Sequence, residues 1–109
     1  MIKSLSQKKD FERVAKIGQP FFAPELGFKI TKNNLGKNRY GIVIPTVIDK
    51  RATVRNTIRR RIKEVARLAD PNLKQGFDLM FLVRESVKDL KYQEIEGKLV
   101  VLFKKAGIL

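Results

Sequence analysis

The chain has 109 residues, of which 43% are hydrophobic, so it is long enough to bury the core of one small domain and too short for two. It contains no cysteine and no histidine, which excludes disulfide frameworks, cysteine nucleophiles, serine–histidine triads and zinc knuckles. Its formal charge of +13 predicts a polyanionic partner, with nucleic acid the first choice and an anionic membrane the second.

The first predicted element is a short helix. In QKKDFERVAKIG the apolar residues Phe11, Val14 and Ala15 recur at helical spacing and Gly18 follows as a stop signal, which predicts a helix from about Gln7 to Ile17. The N-terminal region lacks the continuous apolar run of a signal peptide, and no segment approaches the length of a membrane span. We therefore expect a cytoplasmic protein with no membrane partner.

Two predicted strands come next. ELGFKIT alternates Leu26, Phe28 and Ile30 with Gly, Lys and Thr, which is typical of a half-buried strand. NNLGKN is rich in turn-forming residues, and RYGIVI after it is predicted to be a strand that ends at Pro45. We expect these two strands to pair as a hairpin.

The second half of the chain predicts a helix, a strand and a helix. The helix runs from Ala52 to about Ala69, with Asp49 or Thr53 as its N-terminal cap and DPN as its end. GFDLMFLV is apolar on both faces, which predicts a central strand, and LKYQEIEGKLVVLFKKAG predicts the last helix. The order αββαβα predicts a single ribosomal-protein-like domain over residues 1–109, a two-layer sandwich of the α/β or α+β class.

The middle helix concentrates positive charge. Residues 50–67 include eight basic side chains and one acid, and arginine outnumbers lysine six to two. Arg55, Arg59, Lys63 and Arg67 follow one another along one side, where like charges destabilise an isolated helix by a few tenths of a kcal/mol per pair. A solvated face is the ordinary reading of such a run, but here acids are too few to neutralise it, and arginine suits bidentate phosphate contact. We interpret this helix as a nucleic-acid-binding element, with DNA and RNA both open.

A family resemblance narrows the choice. RATVRNTIRRRIKE resembles the signature helix of the bacterial ribonuclease P protein family, in which a basic residue precedes Arg-Asn, paired basic residues and a basic–acid pair. KKDFERVAKIG resembles the N-terminal helix of that family, and RYGIVI the strand before the signature. GFDLMFLVRES resembles the strand after it, and YQEIEGKLVVLFKKA the C-terminal helix. Order and spacing agree over nearly the whole chain.

The resemblance implies the protein subunit of ribonuclease P, the ribonucleoprotein endonuclease that removes the 5′ leader from precursor tRNA. It implies that the RNA subunit carries the chemistry with bound Mg²⁺, and that the protein itself holds no catalytic and no metal-binding residue. The implied partners are ribonuclease P RNA and precursor tRNA, with no protein partner evident. A chain without His or Cys, and without clustered carboxylates in its motifs, agrees with this division of labour.

The same resemblance assigns residues to the two RNAs. Phe11 and Phe28 match positions at which the family presents aromatic rings to the leader, and such rings stack on single-stranded bases. An aromatic residue on an amphipathic face is equally consistent with the core. The residues expected to contact the RNA subunit are Arg51, Arg55, Asn56, Arg59, Arg60, Lys63 and Arg67.

The chain departs from the family pattern at a few positions. These are Ala15, Thr46, Val47, Thr57 and Ala66. Thr57 replaces a polar-basic residue, so we expect one RNA contact to be missing or to come from Arg61. The two alanines replace aromatic residues, which predicts a shallower leader cleft or one filled by Phe21 and Phe22. Thr46 and Val47 replace lysines, which weakens the predicted RNA contact of the loop before the basic helix.

Two other functions stay open at this point. A ribosomal or ribosome-assembly protein would share the basic α/β build, and composition does not separate it from a ribonuclease P subunit. A DNA-binding regulator would use residues 51–67 as a recognition helix. Such regulators usually carry a second helix close in sequence, whereas predicted strands flank this helix on both sides.

Overall fold

The chain folds around a mixed sheet of five strands. The computed structural model describes residues 2–109. In chain order the elements are β1 (Lys3–Ser4), α1 (Lys8–Ile17), β2 (Gln19–Phe22), β3 (Leu26–Lys32), β4 (Arg39–Val43), α2 (Ala52–Ala69), β5 (Phe77–Val83) and α3 (Tyr92–Lys105), with a short 3₁₀ turn, Asp70–Asn72, after α2. The strand order across the sheet is β1-β4-β5-β3-β2, and β5 is antiparallel to β3 and parallel to β4.

The predicted helices and the three longer strands are confirmed. Strand β5 is the buried central strand that its apolar sequence indicates. The predicted hairpin is wrong, because β5 lies between β3 and β4 and pairs with both. Strand β5 is apolar on both faces, and a central position buries both of them. If β3 and β4 paired as a hairpin, β5 would lie at an edge of the sheet. The edge strands β1 and β2 add to the predicted elements, and both are too short to display an alternating pattern.

Different helices cover the two faces of the sheet. On one face α2 and α3 enclose the main core, in which the rings of Phe28 and Phe103 lie 5.4 Å apart between centroids. On the other face α1 packs over a smaller cluster formed by Leu5, Val14 and Met80. The predicted α/β sandwich is confirmed, and α1 adds partial cover to the second face of the sheet.

Helix α2 begins without a side-chain cap. Arg51 occupies the N-cap position, so neither of the predicted caps, Asp49 and Thr53, lies there. The Asp49 carboxylate instead accepts hydrogen bonds from the backbone N–H and the guanidinium of Arg51. Arg55 donates to the carbonyl oxygens of Asp49 and Lys50 at 2.7 and 2.9 Å. An arginine in the first turns of the helix thereby holds the loop that leads into it.

Candidate nucleic-acid interface

The exposed side of α2 carries a band of cations. Ile58 and Ile62 are completely buried on the opposite side, so the apolar period of the helix turns the cations toward solvent. The exposed residues among the predicted contacts with the RNA subunit are Arg51, Asn56, Arg59, Arg60, Lys63 and Arg67. Arg55 is half-buried. The structure therefore brings the predicted residues together on α2 and at its N-terminal end.

Two arginines of this band are paired with acids. Arg51 Nη2 lies 2.9 Å from Asp49 Oδ2, and Arg67 forms an ion pair with Glu64 on the same helix. Hydrogen bonds from Arg51 lower the pKa of Asp49 to about 2, and those from Arg67 lower the pKa of Glu64. Both acids are therefore charged at neutral pH. A phosphate that binds here competes with a carboxylate for the same guanidinium group.

Arg59 is oriented by a backbone oxygen. Its Nη1 donates to the carbonyl of Ile42 on β4 at 2.8 Å, although the side chain is largely exposed. A guanidinium group has several N–H donors in a fixed plane, so one bond to a carbonyl sets its direction and leaves others for a phosphate. Arg55 is anchored in the same way to the loop before α2.

Arg61 has a structural role. Its Nη1 donates to the carbonyl oxygens of Lys88 and Leu90 at 2.9 and 3.0 Å, so it ties the segment between β5 and α3 to α2. The family pattern makes Arg61 the candidate to bind RNA in place of Thr57. Its guanidinium donates to the backbone of the β5–α3 segment, and an RNA contact of Arg61 in place of Thr57 stays a prediction.

Phe28 has no exposed surface. Its ring packs between Phe21, Phe81 and Phe103, with centroid distances of 5.9, 5.9 and 5.4 Å. A ring without exposed surface cannot stack on a nucleotide, so the prediction that Phe28 binds the leader is wrong. The alternation of β3 identified one of its faces as apolar, and that face points into the main core.

Phe11 is half-buried beside a cavity of about 190 Å³ that lies between α1, β1, β4 and α2. The lining residues are Ile2, Ser4, Leu5, Phe11, Tyr40, Gly41, Ile42, Arg59, Lys63 and Ala66. The Phe11 ring lies directly against Gly41, where any side chain would collide with it. The aromatic ring predicted to bind the leader and two cations predicted to bind the RNA subunit, Arg59 and Lys63, therefore line one cavity.

A second aromatic residue lies on the α1 side of the sheet. The Arg84 guanidinium carbon is 3.7 Å from the centroid of the Phe22 ring, a cation–π contact. A leader cleft filled by Phe21 and Phe22 is one of the two outcomes predicted from Ala15 and Ala66, the other being a shallower cleft. Phe21 instead packs against the main core, because adjacent residues of a strand point to opposite faces. Lys29 of β3 donates a hydrogen bond from its amine to the backbone carbonyl oxygen of Ala15 in α1, at 2.8 Å.

A buried carboxylate ties α1 to the sheet. Asp78 of β5 is completely buried and accepts hydrogen bonds from Arg39 Nε at 2.9 Å, from Asn33 Nδ2 at 2.9 Å and from Arg13 of α1. Burial by itself raises the pKa of Asp78, but hydrogen bonds from Arg39 and Asn33 outweigh burial and hold the pKa below its ordinary value. The sequence signal for this network is one acid within the apolar run of β5, because a buried charge requires partners.

The acids of the described residues do not form a metal site. Among residues 2–109, no three His, Cys, Asp or Glu side chains lie together in a way that could hold a metal ion. The expectation that Mg²⁺ is held mainly by an RNA partner stays a prediction. Within the same range, no helix has the length and apolar character needed to cross a membrane.

Comparison with known proteins identifies the family. The family described as Ribonuclease P matches residues 2–107. The chain belongs to the ribonuclease P protein family. The ribonuclease P protein component of Clostridium botulinum (strain Langeland) is 38% identical over 105 residues, which cover 95% of this chain and 94% of that protein. The ribonuclease P protein component of Clostridioides difficile (strain 630) is 36% identical over 107 residues, covering 97% and 93%.

Solved structures of ribonuclease P proteins share the fold. The RNase P protein of Thermotoga maritima, in complex with 1-(4-fluorophenyl)-2-thiourea, superposes with a TM-score of 0.84 at 26% identity, covering 93% of this chain and 97% of that one. The RNase P protein of Staphylococcus aureus has a TM-score of 0.87 at 22% identity, covering 99% and 98%. The resemblance is confirmed, and the chain is a protein component of ribonuclease P, a ribonucleoprotein of tRNA processing.

Proposed function

We propose that this ribonuclease P protein binds the catalytic RNA through the exposed side of α2 and helps that RNA bind the 5′ leader of precursor tRNA. The observation that carries the proposal is the cationic band of α2, which the structure turns to solvent in a chain of net charge +13 that belongs to this family. Arg51 and Arg67 have acids of the chain beside them, and phosphates of RNA would supply counter-charge to the other cations of the band.

The proposed contacts with the RNA subunit fall into two groups. Arg51, Asn56, Arg60, Lys63 and Arg67 extend from the exposed side of α2 and its N-terminal end. Arg55 and Arg59 are held in fixed directions by backbone carbonyl oxygens, so they lose less side-chain entropy when they bind a phosphate. If about six of these residues contact phosphates, log K against log salt concentration falls with a slope of roughly −4 to −5.

The leader contact rests on Phe11. Its ring is half-buried and lies beside a cavity, so part of it is accessible to a base. Hydrogen bonds among Arg13, Arg39 and Asp78 tie α1 to the sheet and thereby set the position of Phe11. Stacking of a single-stranded base on such a ring does not depend on base identity, which suits leaders of varied sequence.

The cleavage chemistry is proposed to belong to the RNA partner and to Mg²⁺ bound mainly by that RNA. The side chains of residues 2–109 supply positioning and positive charge, since no three of their acids lie together in a way that could hold a metal ion. Positive charge along α2 lowers the repulsion between the phosphates of the catalytic RNA and those of the substrate. The protein's effect is therefore expected to be largest at low Mg²⁺, where the RNA is least neutralised.

The test is cleavage of a precursor tRNA by a bacterial ribonuclease P RNA at low Mg²⁺, with and without this protein. We expect the protein to stimulate removal of the leader. A double variant, Arg60→Ala with Lys63→Ala, removes two exposed cations without touching the core and should lose most of the stimulation. RNA binding without stimulation would contradict the proposal and favour a basic RNA-binding protein of the ribosomal kind.

A further inference from the structure

Helix α3 stands between two open grooves. The larger groove, of about 610 Å³, lies between α3 and the segment that follows β2, and its apolar wall includes Phe22 and Pro24. The smaller groove, of about 300 Å³, lies between α3 and the C-terminal half of α2, and it is lined by the exposed residues Leu68 and Leu109. None of the residues predicted to contact the RNA subunit lines either groove. This side of the molecule therefore offers apolar surface, whereas the exposed side of α2 offers positive charge.

The outward side of α3 forms a ridge between the grooves. Successive residues of a helix turn by about 100°, so one stripe of α3 faces away from the main core. We call this stripe the α3 ridge, and it consists of Gln93, Glu94, Gly97, Val100, Val101 and Lys104. An acid lies at one end of the ridge and a lysine at the other, and Val101, which is 52% exposed, lies between them. A large apolar side chain in this position gains free energy when another surface covers it.

Gly97 makes a notch in the α3 ridge. Among residues 2–109, nothing beyond its own stretch of helix lies within 4 Å of a Cβ placed at Gly97. Glycine destabilises a helix interior relative to alanine, and no close packing within the described chain requires it here. A helix that lacks a side chain at one exposed position lets a second helix approach closely at that point.

The α3 ridge is complementary to a reversed copy of itself. Two antiparallel copies of α3 that cross near residue 99 place Val101 of each copy opposite Gly97 of the other. The same register places Glu94 of each copy opposite Lys104 of the other. An apolar projection then meets a notch and an acid meets a base, each of them twice. This is the pattern of an isologous interface, in which both subunits use the same surface.

The charges of this side favour a second protein chain over RNA. Lys98, which lines the larger groove, is already paired with Glu25, with 2.9 Å between Lys98 Nζ and Glu25 Oε2. The exposed lysines Lys104 and Lys105 lie only at the C-terminal end of α3, and Glu94 lies at its N-terminal end. An RNA strand carries a negative charge at every nucleotide and is repelled by that acid, whereas a second copy of α3 supplies both signs of charge.

We propose that the α3 ridge is an interface between two copies of this chain, packed antiparallel with Val101 of each copy in the notch at Gly97 of the other. This inference goes beyond the RNA-binding function proposed above and is independent of it. The interface uses none of the residues of the cationic band, so a dimer of this kind retains two RNA-binding surfaces.

Sedimentation equilibrium of the RNA-free protein, over a series of protein and salt concentrations, tests the association. We expect a monomer–dimer equilibrium that shifts toward dimer as salt rises, because salt screens the repulsion between two chains of charge +13. RNA binding has the opposite salt dependence. A monomer at every protein and salt concentration would overturn the proposal and leave the proposed function untouched, since cleavage of precursor tRNA tests that function separately.

A filled notch provides the second test. Gly97→Gln places a good helix former in open space, so we expect the free energy of unfolding to be retained and the dimer to weaken by about 10-fold or more. Ala15→Gln, at an exposed position of α1 on the other side of the sheet, is the matched control and should leave the dimer unchanged. Equal association of the two variants would overturn the proposal. Weaker RNA binding by Gly97→Gln in place of weaker association would also overturn it and would assign this side to RNA.

An exchange of charges tests the antiparallel register. Glu94→Lys and Lys104→Glu each place like charges opposite one another, so each variant alone should self-associate several-fold more weakly than the wild type. A mixture of the two variants restores both ion pairs in the mixed dimer and should associate as the wild type does. Net charge alone predicts instead that Lys104→Glu strengthens association. Glu94 also accepts a hydrogen bond from the backbone N–H of Lys91, so denaturant-induced unfolding of both variants accompanies this test. A mixture of folded variants that associates no better than either variant alone would overturn the proposal.

Discussion

Two sets of arginine ion pairs in this protein differ in where they lie and in what they can do. Arg13 and Arg39 hold a completely buried carboxylate, Asp78, between α1 and the sheet. Arg51 and Arg67 pair with acids at the surface of α2. Water and salt screen the second set, so its partners can be exchanged for RNA phosphates, whereas opening the first set would strand a charge in the interior. The basic residues therefore serve the fold at Asp78 and the proposed RNA binding at α2.

The largest effect is expected from the buried set. Asp78→Asn removes the buried counter-charge of Arg13 and leaves Arg39 with only its 3.5 Å contact to Asp10, so we expect the free energy of unfolding to fall by about 3 kcal/mol. Denaturant-induced unfolding measures this decrease. The exposed Asp89 provides the matched control, since Asp89→Asn should change stability little. Equal effects of the two substitutions would remove the distinction between buried and exposed sets.

Acid should reveal the same network. The folded pKa of Asp78 lies below its value in the unfolded chain, which is about 3.9, so its stabilisation is complete above that pH and is lost as pH falls through the folded pKa. We expect the unfolding free energy of the wild type to decline below about pH 4, and the decline to be shallower in Asp78→Asn. Parallel pH profiles of the two proteins would assign the acid sensitivity to other carboxyl groups.

Two neighbouring arginines on α2 separate structural from RNA-binding roles. Arg61 donates to two backbone carbonyl oxygens, and Arg60 is exposed. Arg61→Ala is expected to lower the unfolding free energy by about 2 kcal/mol and to leave the salt slope of RNA binding unchanged. Arg60→Ala should retain stability and flatten that slope by about one unit. The reverse pattern would show that position on the helix does not decide the role.

Lys63 sharpens the comparison on the exposed side. Lys63→Ala should retain the unfolding free energy and weaken RNA binding several-fold at moderate salt, with a slope about one unit shallower. Affinity measured over a series of salt concentrations tests this expectation. An unchanged slope would show that Lys63 does not contact a phosphate.

The smallest effect is expected at Glu64. Its carboxylate pairs with Arg67, so Glu64→Gln frees a guanidinium and removes a negative charge from the side of α2 that is proposed to bind RNA. We expect RNA affinity to rise by about two-fold and thermal stability to stay nearly unchanged. A lower affinity would indicate that the ion pair holds Arg67 in the direction that the RNA requires.

Local patterns predicted the elements that depend on neighbours in sequence. The alternation in β3, the doubly apolar run of β5 and the helical period of α2 are properties of short segments, and each element formed where its pattern placed it. The pairing of β3 with β4 failed as a prediction because short separation favours a hairpin only when no better strand competes. Strand β5 is buried on both faces and pairs with both of them.

The residues of the candidate site also include some that the sequence predicted and some that it did not. The cations of α2 were predicted because their spacing on one helix determines that they share a side. Phe28 was misassigned because the family resemblance matched its position in sequence, whereas its burial depends on which face of β3 the helices cover. The sequence also did not predict that Arg61 has a structural role while its neighbour Arg60 is exposed. That difference depends on carbonyl groups of the segment between β5 and α3, to which Arg61 donates.

The sequence by itself determined the class of partner, the family and the cationic band, because charge, motif order and helical spacing are all local or additive properties of the chain. Only the tertiary structure decided that Asp78 ties α1 to the sheet and that Phe11 shares a cavity with Arg59 and Lys63. Those juxtapositions join residues far apart in sequence. They follow from which strands pair and which faces are buried, and the whole chain settles both together when it minimises exposed apolar surface and unpaired buried charge.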